Sequence, residues 1–369
     1  MKFPFYAKIS ILLVGLYVLI SMLHTAQSII LPIIYSIIIA ISISPMVNYL
    51  INKKINRAVA IGTVLSVTIL IIVGFIVFLS AQASLLSRAM PQMTTKFQAL
   101  FSETINWVSC SFNISEPKID AWINNGKDEL INNSGSAITS TLSTVGGFLS
   151  VVFLTPVYIF MILFYQPHLM AFIHRLFGAD NDIDVNEIMI KTKTIVQGYL
   201  VGLFLEFAIV ATLNSVCLMI LGIDYAILFG IGGAILNVIP YIGGMIAVGL
   251  FMLIAFVTKT PIYAVYVLIL YSIIQFTDNH YIVPKVIGSK VKLNALICLI
   301  AVIMGAALWG IPGMFLSIPL TAIIKLVFDH IDGLKTWGFL LGDTSPPMIK
   351  FNLRDISKRL PQMMPPYRK

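Results

Sequence analysis

NVIPYIGG, residues 237–244, and QFTDNHYIVPKVIG, residues 275–288, decide how this chain reads. Pro240 sits inside an apolar run that would otherwise form one long helix. Asp278, Asn279 and His280 stand against the end of another apolar run. Ionisable groups in a membrane segment are costly and usually line a cavity or a transport path. A helix broken by proline at membrane depth persists only where its freed backbone groups meet protein or water. In a membrane protein, the two stretches together point to a translocation site.

Composition supplies the membrane. The 369 residues are 58% hydrophobic and 11% charged, with a mean hydropathy of +0.94. A soluble domain carries roughly 25% charged residues, so too little polar surface is left for a soluble particle. The formal net charge is +8. Its lysines and arginines are spread among apolar runs, which excludes a nucleic-acid-binding face and suits cytoplasmic loops. Cys110, Cys217 and Cys298 have no metal-type spacing. The last two read as packing residues, and the set defines neither a disulfide framework nor a redox compartment. The N-terminus, MKFPFYAKISILLVGLYVLI, is like a signal peptide but has no prompt small-residue cleavage site, so it reads as a retained first helix.

Spans are expected at 9–23, 29–50 and 58–80, with Pro32 in the first turn of the second and Pro45 placed to kink its end. Proline is tolerated in a first turn because no N–H is needed there. The loop NKKINR, 52–57, has three bases and no acid. The positive-inside rule puts it in the cytoplasm with Lys2 and Lys8, two crossings away. Residues 81–145 then form an extracytoplasmic amphipathic arm, with Leu85, Leu86, Ala89, Met93, Phe97, Leu100, Phe101 and Ile105 at helical spacing. The arm extends the third span and packs on its neighbours or on the interface. A fourth span at 147–165 leads to a polar, helical, cytoplasmic stretch at 166–193. Its acids lack the pattern of a calcium loop. The fifth span, 194–221, carries Gln197, Glu206 and Asn214.

The 33 residues of 225–257 are apolar. As a straight helix they would reach about 50 Å, against a hydrocarbon core of about 30 Å. Pro240 divides them into halves too short to cross. A returning hairpin leaves the next span, 261–276, to cross once and end at Asp278. Lys285, Lys290 and Lys292 then lie inside, as the positive-inside rule requires. The run 293–328 is interrupted by GIPG, 310–313, and by Pro319, and reads as a second hairpin entering from inside. The expected fold is all-α and polytopic: about six full spans plus two broken or re-entrant hairpins, or eight spans if the broken runs cross. Residues 1–80 hold the first helices, 81–145 the arm, 146–328 a transport core, and 329–369 a basic cytoplasmic tail. Opposed hairpins meeting near the midplane are a transporter device, although no strong internal repeat is visible.

NVIPYIGG, DNHYIVPKVIG and GIPGMFLSIPLTAIIK, in this order, resemble the autoinducer-2 exporter (AI-2E) family. The resemblance covers most of the chain and is sharpest over 198–325. It implies a multi-spanning bacterial transporter that exports autoinducer-2 or exchanges sodium or lithium for protons. Fold membership does not choose between them. Asn237, Pro240, Tyr241 and Gly243 match the family's first element; Asp278, Asn279 and Pro284 match its second, closed by Gly288. Gly310, Gly313 and Pro319 match the last, with Pro312 inside it. Where the family often has a second proline, this chain has Gly244.

The residues also support roles of their own. Pro240 frees an upstream carbonyl, Gly243 and Gly244 permit a tight turn, and the second half-helix presents N–H groups to an oxygen-rich solute. Asn237 and Tyr241 can bond a polyol. The structural alternative is a hairpin tip with a satisfied polar cap. Asp278 is the first candidate for ion or proton coupling, because a carboxylate taken partly out of water favours a bound proton or cation; a helix cap or an ion pair with Lys285 is the alternative. Glu206 is the second, as a proton carrier or as a buried acid bonded to another helix. Gln275 and Asn214 rank below them, and His280 can titrate near neutrality. The chain has no GxxxxGK[ST], HExxH or CxxC motif, and no placeable serine–histidine–acid set. An enzyme, a cofactor and a metal are therefore not expected. The expected activity is secondary export of a small polar solute across the bacterial cytoplasmic (inner) membrane, with both termini inside. A sodium- or lithium-for-proton antiporter and a channel-like or scaffold oligomer are the alternatives. The partners are the lipid bilayer and a small solute or monovalent cation, with homo-oligomers among the open assemblies and nucleic acid excluded.

Overall fold

The computed structural model describes residues 4–112, 153–177, 182–239 and 242–343. Among them the fold is all-helical: α1 Phe5–Thr25, α2 Gln27–Asn52 and α3 Arg57–Phe112 come first. α4 Phe153–Phe164 is bent by 66° against α5, Gln166–Phe177. Next are α6 Asp182–Ile220, α7 Ala226–Asn237, α8 Ile242–Thr258 and α9 Pro261–Thr277. The short α10 Ser289–Val291, α11 Ala295–His330 and α12 Lys335–Leu341 complete the order. Among the described residues six helices are long and apolar enough to cross a membrane, or seven spans if α4 and α5 are one. The polytopic, all-α fold is therefore present. Pro240 and Tyr241, the arm beyond 112 and the tail beyond 343 lie outside the described residues.

α1 has no buried residue, as expected of a helix that is apolar all round and faces lipid. α3 runs unbroken for 56 residues, so the third span and the arm as far as Phe112 form one helix. Leu86 and Met93 of the arm pack against the core shared by α6, α7, α8 and α9. Arg57, at the start of α3, donates to the Leu163 carbonyl from Nε at 3.0 Å and to Gln166 Oε1 from Nη2 at 3.2 Å. It thus caps the end of α4, where carbonyls lack helical partners.

Prolines inside the helices free carbonyls four residues upstream, and side chains from other helices take them. Pro45 frees Ile41, whose oxygen accepts from Gln197 Nε2 of α6 at 2.7 Å. In α11 the break at Trp309 and Gly310 does the same to Leu308, whose oxygen lies 2.7 Å from His24 Nδ1, the donor in this contact. Pro319 frees Phe315, whose oxygen accepts from Tyr199 Oη at 3.3 Å. Without water to bond them, backbone groups at this depth need such partners. Polar residues scattered through apolar runs are therefore structural anchors in these three places.

Both broken runs fold back on themselves. In α11, Trp309 and Gly310 leave the helical region, Gly310 at φ 63°. A side chain on Gly313 would overlap the Gly305 carbonyl, so the two arms touch backbone to backbone. The start of the first arm meets the end of α12: Leu293 bridges Gly342, and Asn294, the N-cap of α11, donates from Nδ2 to the Leu340 carbonyl at 2.8 Å. α7 and α8 make the other hairpin, cored by Ala226, Ala247, Phe251, Ile254 and Ala255. At its tip a side chain on Gly243 would overlap the Leu236 carbonyl.

The hairpins approach α6 from opposite ends. α7 follows the turn at Gly222 beyond the C-terminal end of α6, and its tip reaches Glu206. α11 ends at His330 beside Lys191, near the N-terminal end of α6, and its second arm meets Tyr199. Tyr199 and Glu206 are seven residues apart, about 10 Å along a helix. The opposed hairpins thus converge on one short stretch of α6.

One expectation needs correction. The span starting at Pro261 does not end at Asp278. The helix continues through two π-helical turns, Asp278–Ile282 and Pro284–Gly288. Asp, Asn and Pro favour a stop in water. In an apolar environment an unfinished backbone is too costly, and wider turns absorb Pro284 without ending the helix. Asp278 is accordingly inside a 28-residue span.

Candidate functional site

Glu206 lies midway along α6 and is 9% exposed; Asp278 opens the first π turn and is 1% exposed. Asn237, the last residue of α7, reaches both. Its Nδ2 donates to Asp278 Oδ2 at 2.9 Å and to Glu206 Oε1 at 3.4 Å. Gln275 Nε2 in turn donates to Asn237 Oδ1 at 3.4 Å, which orients the Asn237 amide so that its nitrogen faces the acids. One side-chain amide from a hairpin tip therefore ties together two carboxylates from two other helices. Asp278 Oδ1 is buried and has no partner among the described residues. π turns are enriched at functional sites because they re-aim a side chain without ending the helix. Here the turn directs Asp278 toward α7.

These groups line a cavity of about 1050 Å³ between α6, the α7–α8 tip, α9 with its π turns, and α11. Glu206, Asn237, Gly244, Gln275, Asp278 and Asn279 all contribute to its wall. With His280 and Gly288, also on the wall, eight of the residues singled out from the sequence are in one place. Gly243 is not on the wall; it allows the hairpin to close. Pro284, Gly310, Pro312 and Gly313 also lie off the wall. The last three shape the α11 break, where Trp309 Nε1 donates to the Leu23 carbonyl at 3.0 Å and Tyr35 Oη to the Pro312 carbonyl at 3.2 Å. Pro240 and Tyr241 lie outside the described residues. Asn214, also singled out, is 1% exposed and off the cavity wall.

The cavity adds residues that the motifs did not single out. Tyr271 and Ser272 line it from α9, Tyr199 from α6, and Cys298, read as packing, from α11. Tyr271, Gln275 and Asp278 follow the i, i+4, i+7 spacing of one helix face, a pattern that could have exposed Tyr271. A second cavity of about 500 Å³, between the ends of α11 and α12, is lined by Lys292, Lys325, Asp329 and Lys335 and shares no residue with the first. Lys325 Nζ bonds Asp329 Oδ2 there at 2.6 Å. Among the described residues no group of three or more metal-ligating side chains is assembled.

Known proteins resemble this chain over much of its length. The YueF protein of Bacillus subtilis is 27% identical over 282 residues, covering 71% of this chain and 74% of its own length. The AI-2 transport protein TqsA of Escherichia coli is 24% identical over 340 residues, 91% of this chain and 96% of TqsA. PerM of Escherichia coli is 25% identical over 218 residues, 57% of this chain and 60% of PerM. The family model described as AI-2E family transporter matches residues 9–333. The chain belongs to the AI-2E family of membrane transporters.

Proposed function

We propose that this chain is a secondary transporter that exports a small polar solute through the cavity between its two hairpins, and that Asp278, Glu206 and Asn237 form the coupled site. The observation that carries the reading is the Asn237 bridge. It links the tip of a re-entrant hairpin to a buried carboxylate, so hairpin movement and the state of that carboxylate depend on each other. Breaking the Asn237–Asp278 bond frees the tip and bares the acid to a solute or proton. Broken helices around a central site are how many secondary transporters alternate access. The solute is moved, not converted, so no enzyme activity is assigned. Autoinducer-2 is the first solute to assay, on the name of TqsA.

The proposed setting is the cytoplasmic membrane of a bacterium, with both termini inside. Arg57, in the loop read as cytoplasmic, caps the helix leading into the next loop given that side. This contact supports the assignment. A second reading, monovalent cation–proton antiport, is favoured by the two carboxylates that share one amide. Such a pair can exchange a proton for a cation.

Flux into proteoliposomes tests both. Wild type and Asp278→Asn are compared for autoinducer-2, sodium and lithium, with and without a proton gradient. Autoinducer-2 flux that falls at least about tenfold in the variant supports the export reading. Gradient-dependent cation exchange lost in the variant supports the antiport reading. Wild-type flux undiminished by the substitution removes Asp278 from the path.

A further inference from the structure

Resting on the transport reading above, the cavity's chemistry narrows the solute. We infer that the cavity is built for an organic cation, an ammonium or similar group joined to an apolar body. The titratable groups on its wall are Tyr199, Glu206, Tyr271, Asp278, His280 and Cys298. Two are carboxylates. No lysine or arginine is on the wall among the described residues. His280, the one group able to carry positive charge, is stacked on Phe276 with ring centroids 4.1 Å apart. Its Nδ1 lies 3.0 Å from the Phe276 carbonyl of its own helix.

The carboxylates are short of donors. Asn237 provides one amide nitrogen for one oxygen of each. Asp278 Oδ1 is left buried and unpartnered among the described residues. A carboxylate oxygen in that position is penalised unless a donor or a positive charge meets it. An ammonium group brings both, with three N–H donors. A neutral polyol supplies donors but leaves the charge uncompensated, and an anion is repelled by both acids. Beside the polar Asn237, Ser272, Gln275 and Asn279, the remaining wall is largely apolar, with Leu203, Met245, Val248 and Leu268 among its members. Tyr199 and Tyr271 also line the wall, and aromatic rings attract cations. A bare sodium ion would leave that apolar surface unused. The volume, about 1050 Å³, is just above the range of pockets for drug-sized molecules, roughly 300–1,000 Å³.

Equilibrium binding to the full chain in lipid nanodiscs tests the inference, with empty nanodiscs subtracted. The probes are phenethylammonium, its uncharged counterpart 2-phenylethanol, its acidic counterpart phenylacetate, and methylammonium. Phenethylammonium is expected to bind at least about tenfold more tightly than each of the other three, a difference of about 1.4 kcal/mol. Asp278→Asn should bring the cation and the alcohol to within about threefold of each other, and Asp278→Glu should restore the preference. Equal binding of the alcohol and the cation by wild type overturns the inference with no variant needed. So does a preference that survives Asp278→Asn, or methylammonium matching phenethylammonium. Asp278-dependent flux of an uncharged solute, without cation preference in binding, leaves the transport reading standing and overturns the cation alone. Absence of cation binding to wild type also overturns it.

Discussion

The two hairpins reach the same stretch of α6 and use their polar groups in opposite ways. Each closes on a glycine pressed against a carbonyl: Gly243 on Leu236 in one, Gly313 on Gly305 in the other. In α11 the carbonyls of Leu308, Pro312 and Phe315 accept from His24, Tyr35 and Tyr199 of α1, α2 and α6. That hairpin is fastened to the scaffold by bonds that no solute is required to change. In α7–α8 the polar residue at the tip, Asn237, faces the two carboxylates of the cavity. Its hold depends on groups that can gain a proton or a cation. One architectural device thus gives a fixed element and an element whose position answers to the site.

Where the hairpins are alike, the largest effects should be equal. Gly243→Val and Gly313→Val each force a branched side chain into a backbone carbonyl. Each should cost about 3 kcal/mol or more, the upper part of the range for overpacking. The thermal midpoint in detergent measures it. A tolerated Gly243→Val beside a damaging Gly313→Val would show that the α7–α8 tip is looser than its closed geometry, and the likeness would fail.

Where they differ, function should separate from stability. Asn237→Leu removes the donor shared by Glu206 and Asp278. It should lower stability by about 1–3 kcal/mol, the cost of leaving buried acceptors unpaired, and reduce flux at least about tenfold. Tyr35→Phe removes a bond of similar kind at the other hairpin, to the Pro312 carbonyl at 3.2 Å. It should lower stability by about 1 kcal/mol and leave flux within about twofold of wild type. Equal flux losses in the two would erase the distinction between fixed and responsive hairpins. Paired melting and flux measurements on the same preparations read both quantities.

Much of this was legible from length and charge. A 33-residue apolar run around Pro240 is too long for one crossing, and Lys285, Lys290 and Lys292 require a net return. Those local facts suffice for two hairpins. They do not reveal that Asn237 touches Asp278, 41 residues away, because hydropathy carries no register between helices. The end of the α9 span was misread for a related reason. Asp278, Asn279 and Pro284 stop helices where water can take the loose backbone groups, and this segment carries on as π turns. The polar residues His24, Gln197 and Tyr199 showed no pattern because each answers a distant proline or helix break.

That last relation gives the smallest prediction and the sharpest check on the fastened hairpin's logic. Gln197 donates to the Ile41 carbonyl, which lacks a helical partner because Pro45 has no N–H. Ser44 Oγ bonds the same oxygen at 2.9 Å, so Gln197→Leu alone should cost only about 0.6 kcal/mol, the average for such bonds between membrane helices. In a Pro45→Ala background the backbone N–H at this position returns to the Ile41 carbonyl, and the same Gln197→Leu step should cost close to nothing. The double-mutant cycle isolates that difference. Tyr199→Phe with Pro319→Ala tests the second arm of α11 in the same way, through the Phe315 carbonyl. A Gln197 cost that persists without the proline would mean that the amide serves packing, not the freed carbonyl. Proline capping would then no longer explain why α11 is fastened while α7–α8 is left to its site.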